Sequence, residues 1–132
     1  MNYNKLVKVK KRPGEQWLKY SDSYLLSNYG RWYSVSRNKL LKQRKNNWGY
    51  LRAEIYDTDG RRINVFTHIQ VIVMFGDING KRLPDECETL RELGLSIDHI
   101  SRNKRDNSIF NLELVSHQEN CLRKYKTLEA TS

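Results

Sequence analysis

The chain has 132 residues, with 24 Lys+Arg against 15 Asp+Glu, a net charge of +9 and a pI near 9.7. That length suffices for one domain with a buried core, and the charge makes a polyanion the first partner class to consider. The longest wholly apolar run, Val71 to Phe75, excludes a membrane-spanning helix; two cysteines, Cys87 and Cys121, exclude a disulfide framework or a four-cysteine zinc site.

The first fifteen residues, MNYNKLVKVKKRPGE, have no apolar stretch of signal-peptide type, so the expectation is an intracellular domain. The charge is unevenly spread. Residues 1–52 hold 13 basic residues and two acidic ones, residues 53–100 five and nine, and residues 101–132 six and four. Residues 1–14 read as a basic flexible arm. Beyond them, Trp32, Tyr33, Trp48 and Tyr50 are interleaved with Arg31, Lys39, Lys42, Arg44, Lys45 and Arg52. Cations that neutralise phosphates, mixed with rings that pack on sugars or bases, suit nucleic acid.

Arg31 to Phe66 reads as a β-meander. In residues 50–56, Leu51, Ala53 and Ile55 share one face; Asp57-Thr58-Asp59-Gly60 signals a turn, and residues 62–66 form the return strand with Ile63 and Val65 inward. Residues 67–75 are open between a strand, favoured by Ile69, Val71, Ile72 and Val73, and a short buried helix capped by Thr67 and ended by Gly76. Pro84 to Leu93 reads as a helix with Asp85, Glu86 and Glu88 at its positive end. A strand over 95–100, a polar loop and a second strand over 111–115 follow. Ser116 and Glu119 then fit a capping box, which starts a helix running into the high 120s.

Asp98, His99, Asn111 and Asn120 stand out in that last unit. A carboxylate and an amide oxygen are hard ligands for a hydrated divalent cation, and a neutral His takes a proton from water near pH 7. Adjacent strand residues face opposite ways, so Asp98 and His99 share a centre only where the strand bends or ends.

The run IDHISRNKRDNSIFNLELVSHQEN resembles the ββα-metal motif of HNH endonucleases, in the His-Asn-Asn version of phage and intron-encoded homing nucleases. The match comprises Asp98-His99, Asn103-Lys104, Asp106-Asn107, Asn111-Leu112 and Glu119-Asn120, with 12 residues from His99 to Asn111 and nine from there to Asn120. Upstream, Trp17, Tyr24 and Ser27-Asn28-Tyr29-Gly30-Arg31 resemble a nuclease-associated modular motif. The span THIQVIVMFG is similar to a helix of the same family, which favours helix over strand there.

The resemblance implies an α+β fold, with an N-terminal β-meander and a C-terminal ββα-metal unit. The corresponding segments are 15–66 (β-rich DNA-binding motif), 67–94 (helical connector) and 95–128 (nuclease unit). It implies a metal-dependent endonuclease on double-stranded DNA, nicking where one centre cuts one strand, in the cytoplasm of a bacterial or phage-infected cell, as monomer or homodimer. His99 would be the general base, Asn111 would position its ring, and Asp98 and Asn120 would hold Mg²⁺ or Mn²⁺, with His117 an alternative ligand. Arg31, Lys42, Arg44, Lys45, Trp48, Tyr50 and Arg52 would grip the duplex, with Arg102, Lys104 and Arg105 clamping phosphates by the cut. His68 reads as a packed residue at a helix start. The chain stops about ten residues beyond Asn120, short of the helical DNA-reading module of many homing relatives, so weak long-site specificity is expected. A non-catalytic DNA-binding protein derived from such a nuclease is the alternative, and a binder of acidic proteins a third reading.

Overall fold

Alternation of large apolar residues on short extended segments gives the chain its first layer. The computed structural model describes residues 3–79, 94–116, 118–119 and 121–122. Strands β1 (Trp17–Ser21), β2 (Tyr24–Ser27), β3 (Trp32–Ser34) and β4 (Lys39–Leu40) form an antiparallel sheet in that order. Both faces of its middle are buried. Tyr24, Leu26 and Trp32 point into the main core, while Trp17, Leu25 and Tyr33 point the other way and pack with Val7.

That second face corrects the expectation of a free N-terminal arm. Val7 is buried, Tyr3 and Val9 pack beside it, the Asn4 Oδ1 accepts the Trp17 N–H at 3.1 Å and the Lys8 N–H donates to the Tyr33 hydroxyl at 3.2 Å. A sheet face of large apolar residues needs a cover, and these residues supply it.

The meander therefore begins at Trp17, upstream of Arg31, and splits into two sheets. The second holds β5 (Arg44–Lys45), β6 (Leu51–Tyr56) and β7 (Arg62–Phe66). The β6–β7 turn is built as its residues dictate: Asp57 Oδ1 accepts the N–H groups of Asp59 and Arg61, and Gly60 takes φ +78°. Ala53 and Ile55 are fully buried, and Ile63 and Val65 pack against the same core.

Helix α1 (Thr67–Asn79) resolves the ambiguous segment as helix and runs past Gly76. Its β-branched residues are accommodated because Val71, Ile72 and Phe75 fill the core together. Strands β8 (Leu95–His99) and β9 (Leu112–Ser116) form an antiparallel hairpin, His99 opposite Leu112, with Ile109–Asn111 in a 3₁₀ turn between them. Ile97, Ile109 and Leu112 root this hairpin in the main core. After it, Ser116 Oγ accepts the Glu119 N–H at 3.0 Å, one half of the expected capping box. The expected helix over 84–93 lies outside the described residues. No helix among the described residues is long and apolar enough to cross a membrane.

Candidate active site

Strand β8 ends at His99, and a tight turn follows it. Ile100 N–H donates to the Asn111 carbonyl at 2.8 Å, Arg102 N–H donates to the His99 carbonyl at 2.9 Å, and Arg102 adopts φ +67°. Asp98 and His99 are both buried there, at 7% and 5% exposure.

The ring of His99 is held by Asn107, at 2.7 Å between Nε2 and Oδ1. A carbonyl oxygen only accepts, so Nε2 carries the proton and Nδ1 keeps its lone pair. Burial pushes the His99 pKa down and Lys104 works in the same sense, against the Asn107 hydrogen bond and the Asp98 and Asp106 charges. The imidazole is consequently neutral near pH 7, the state in which it can accept a proton.

Asn111, expected on that ring, does something else. Its Oδ1 accepts the Ser101 N–H and its Nδ2 donates to the Asp106 carbonyl, both at 2.9 Å, so it ties the two ends of the loop together. The ring-holding role falls to Asn107, a loop residue whose sequence neighbours gave no sign of its direction. Its Nδ2 is buried with no hydrogen-bond partner among the described residues.

Asn107 is itself braced by the N-terminal sheet. Gly30, at φ +80°, lies so close that an added Cβ would meet Asn107 Cβ and O at 3.0 Å. Beside it, the Ile109 N–H donates to the Asn28 carbonyl at 2.8 Å. The Ser27–Arg31 turn thus backs the loop that holds the His99 ring.

A second wall is aromatic. The Tyr50 ring stacks on His68 at 4.8 Å and lies 5.9 Å from His99; His68 lies 5.5 Å from His99. Burial, then the proximity of His99, pushes the His68 pKa to about 4, and its Nδ1 has no partner among the described residues. His68 is packed, as its sequence position implies, but packed against the candidate base. Thirty-one residues separate the two histidines, so no spacing rule would join them.

The cations fall into three groups. Arg31 is engaged internally: its guanidinium takes both Glu15 oxygens, donates to the Lys10 carbonyl at 2.9 Å and lies over the Trp17 ring. Burial works to raise the Glu15 carboxyl, yet the Arg31 bonds hold it below its ordinary value. Arg31 is therefore a framework cation, which corrects its placement among the DNA contacts. Lys42, Arg44 and Arg52 line an open cleft of about 340 Å³ with Arg37, Lys39 and Arg62, against the single carboxylate of Glu54. Nearer the base, Arg102 pairs with Asp98 at 3.2 Å, and Lys104 sits over the Tyr50 ring at 4.6 Å and donates to the Trp48 carbonyl at 2.8 Å. Lys45, Trp48 and Arg105 are exposed.

Of the expected metal ligands, Asp98 is described; Asn120 and the alternative His117 lie outside the described residues. Among the described residues no three His, Cys, Asp or Glu side chains converge. A single hard carboxylate next to the candidate base fits a cation such as Mg²⁺ that keeps several waters, and does not resemble a closed all-protein cage.

Comparisons with known proteins bear on the fold and on the matched segment. The sequence pattern of the HNH endonuclease family matches residues 66–122. The H-N-H endonuclease F-TflII of Escherichia phage T5 is 29% identical over 100 residues, covering 76% of this chain and 46% of that protein. The solved structure of the HNH homing endonuclease I-HmuI, described for DNA binding and cleavage, superposes with a TM-score of 0.65 at 28% identity over 84% of this chain and 58% of that one. The chain spans about half the length of these relatives. The segment that carries Asp98, His99 and Asn111 thus matches the HNH endonuclease family, and the α+β fold of the chain is similar to that of an HNH homing endonuclease.

Proposed function

We propose that this chain is a metal-dependent endonuclease that hydrolyses phosphodiester bonds in double-stranded DNA, cutting one strand per active centre. The observation that carries this reading is His99: buried, neutral, with Nε2 bound to Asn107 and Nδ1 left as the base. In the reaction, Nδ1 takes a proton from water as the oxygen attacks phosphorus and the bond to the 3′-oxygen breaks. Asp98, with Asn120, would hold a Mg²⁺ or Mn²⁺ ion, which supplies neutralisation of phosphate charge and stabilises the departing oxyanion. The cleft around Lys42, Arg44 and Arg52, with Lys45 and Arg105, would neutralise backbone phosphates. Tyr50 serves by packing against His68 and His99. The relatives named for endonuclease activity, one from a phage, support the same reading and a bacterial or phage-infected cell as the setting.

The test is a supercoiled-plasmid assay with Mg²⁺ or Mn²⁺, using wild type, His99→Ala and an EDTA control. Loss of the base is expected to slow cutting by about 10²- to 10⁴-fold while DNA binding persists. Equal cutting by wild type and His99→Ala would remove His99 from the chemistry. A salt-sensitive gel shift without cutting in any lane would favour a DNA-binding protein without nuclease activity.

A further inference from the structure

The Asn46–Tyr50 turn, whose Tyr50 ring lies 5.9 Å from His99, presents a tryptophan to solvent. Trp48 is 75% exposed, whereas Trp17 and Trp32 are fully buried. The turn beneath it is tightly fixed. Asn46 N–H donates to the Tyr50 carbonyl at 2.9 Å, and the Asn46 Oδ1 accepts both the Trp48 and Tyr50 N–H groups at 3.0 Å. Gly49 takes φ +87°, and Lys104 from the catalytic loop holds the Trp48 carbonyl. No stacking or cation contact to the Trp48 ring is found among the described residues. Two residues on, the Tyr50 ring lies against His99.

We infer that Trp48 is a wedge that inserts against a base at the cut site and unstacks the duplex there; this rests on the double-stranded DNA reading above. The flanks of the ring are Asn46, Asn47, Gly49 and the cations of β5, so its setting is polar and positive, which suits a base framed by phosphates better than an apolar protein surface. The need for distortion comes from His99. At 5% exposure the base lies below the surface, and a phosphate on a regular duplex must be brought down to it. A ring inserted at a base step bends the backbone and opens the minor groove, and a rigid turn is the support that such insertion needs. Lys104, from the loop that carries Asn107, also ties the turn to that loop.

The other two tryptophans being buried, acrylamide quenching reads Trp48 alone. The full chain, carrying His99→Ala to prevent cutting, is titrated with a random-sequence duplex of about 30 base pairs. The same duplex with one central abasic step is the second probe. Insertion is expected to protect Trp48 from acrylamide and to make the abasic duplex bind about tenfold tighter, because one unstacking cost is already met. Adding Trp48→Ala should reduce that ratio to near one, and Trp48→Phe should keep most of it. Salt-sensitive binding with Trp48 still open to acrylamide would overturn the wedge and leave the nuclease reading standing. Absence of binding to either duplex would overturn both.

Discussion

The N-terminal sheet and the β8–β9 hairpin both bury polar side chains, and they pair them differently. In the sheet, Arg31 meets Glu15 through paired hydrogen bonds, and Asn28 satisfies its amide on Gln16 N–H and the Gly14 carbonyl. Those groups are closed on each other. In the hairpin, Asn107 spends its oxygen on His99 but leaves its nitrogen without a partner among the described residues, and His99 holds an available lone pair. The sheet too leaves one buried donor, Trp17 Nε1, without a partner among the described residues, but its ionisable and amide groups Arg31, Glu15 and Asn28 are paired, whereas those beside His99 are not all so.

This contrast can be broken by experiment. The largest effect should come from Glu15→Ala, which removes a buried carboxylate and leaves the partly buried Arg31 charge without its partner. A stability loss of about 3–5 kcal/mol is expected in urea unfolding. At low temperature the folded fraction should cut plasmid at the normal rate. A folded but inactive Glu15→Ala protein would mean that the frame also takes part in the chemistry.

A second test concerns pH. The His68 pKa is about 4 when folded against 6.5 unfolded, so the unfolded chain binds the extra proton between those values. Stability from this group is complete above pH 6.5 and falls as pH drops towards 4, by about 3 kcal/mol. Urea unfolding at several pH values should show that slope, and His68→Phe, which keeps a ring against Tyr50, should flatten it. An unchanged slope in the variant would place the titration elsewhere.

Asn107→Ala gives the smaller, sharper contrast. The frame should be nearly unaffected, while single-turnover cutting should slow about 10- to 100-fold as the ring loses its tether. The ¹⁵N shifts of the His99 imidazole should move from the Nε2–H form towards a mixture of tautomers. Normal cutting with a normal spectrum would assign the tether to another group.

Much of this was legible in the residues. The β6–β7 hairpin followed from strict alternation and from Asp57 with Gly60 at its turn, and the β8–β9 hairpin from two short apolar runs around a polar loop. The N-terminal cover was not, because Val7 and Val9 stand among lysines with nothing in their own spacing to show the sheet face awaiting them. Helix α1 was ambiguous for a physical reason: its β-branched residues favour strands locally, and the core that decides otherwise is formed by distant segments. At the site, sequence supplied the residue types but not their directions. The loop offers Asn103, Asn107 and Asn111, and only the chain path shows which amide meets the ring. Arg31 was misplaced similarly, since a basic residue among basic residues gives no hint of a carboxylate sixteen positions away.

The near-contact between Gly30 and Asn107 bears on modularity. Domain shuffling treats a grip and a blade as exchangeable parts, yet here the blade's key residue rests against the backbone of the grip. A chimera that joins residues 67–122 to a foreign front half would inherit His99 but not its seat, unless the new partner offers the same bare turn. Heirs of such an exchange would carry that glycine with them, a small hereditary mark of two parts that work as one.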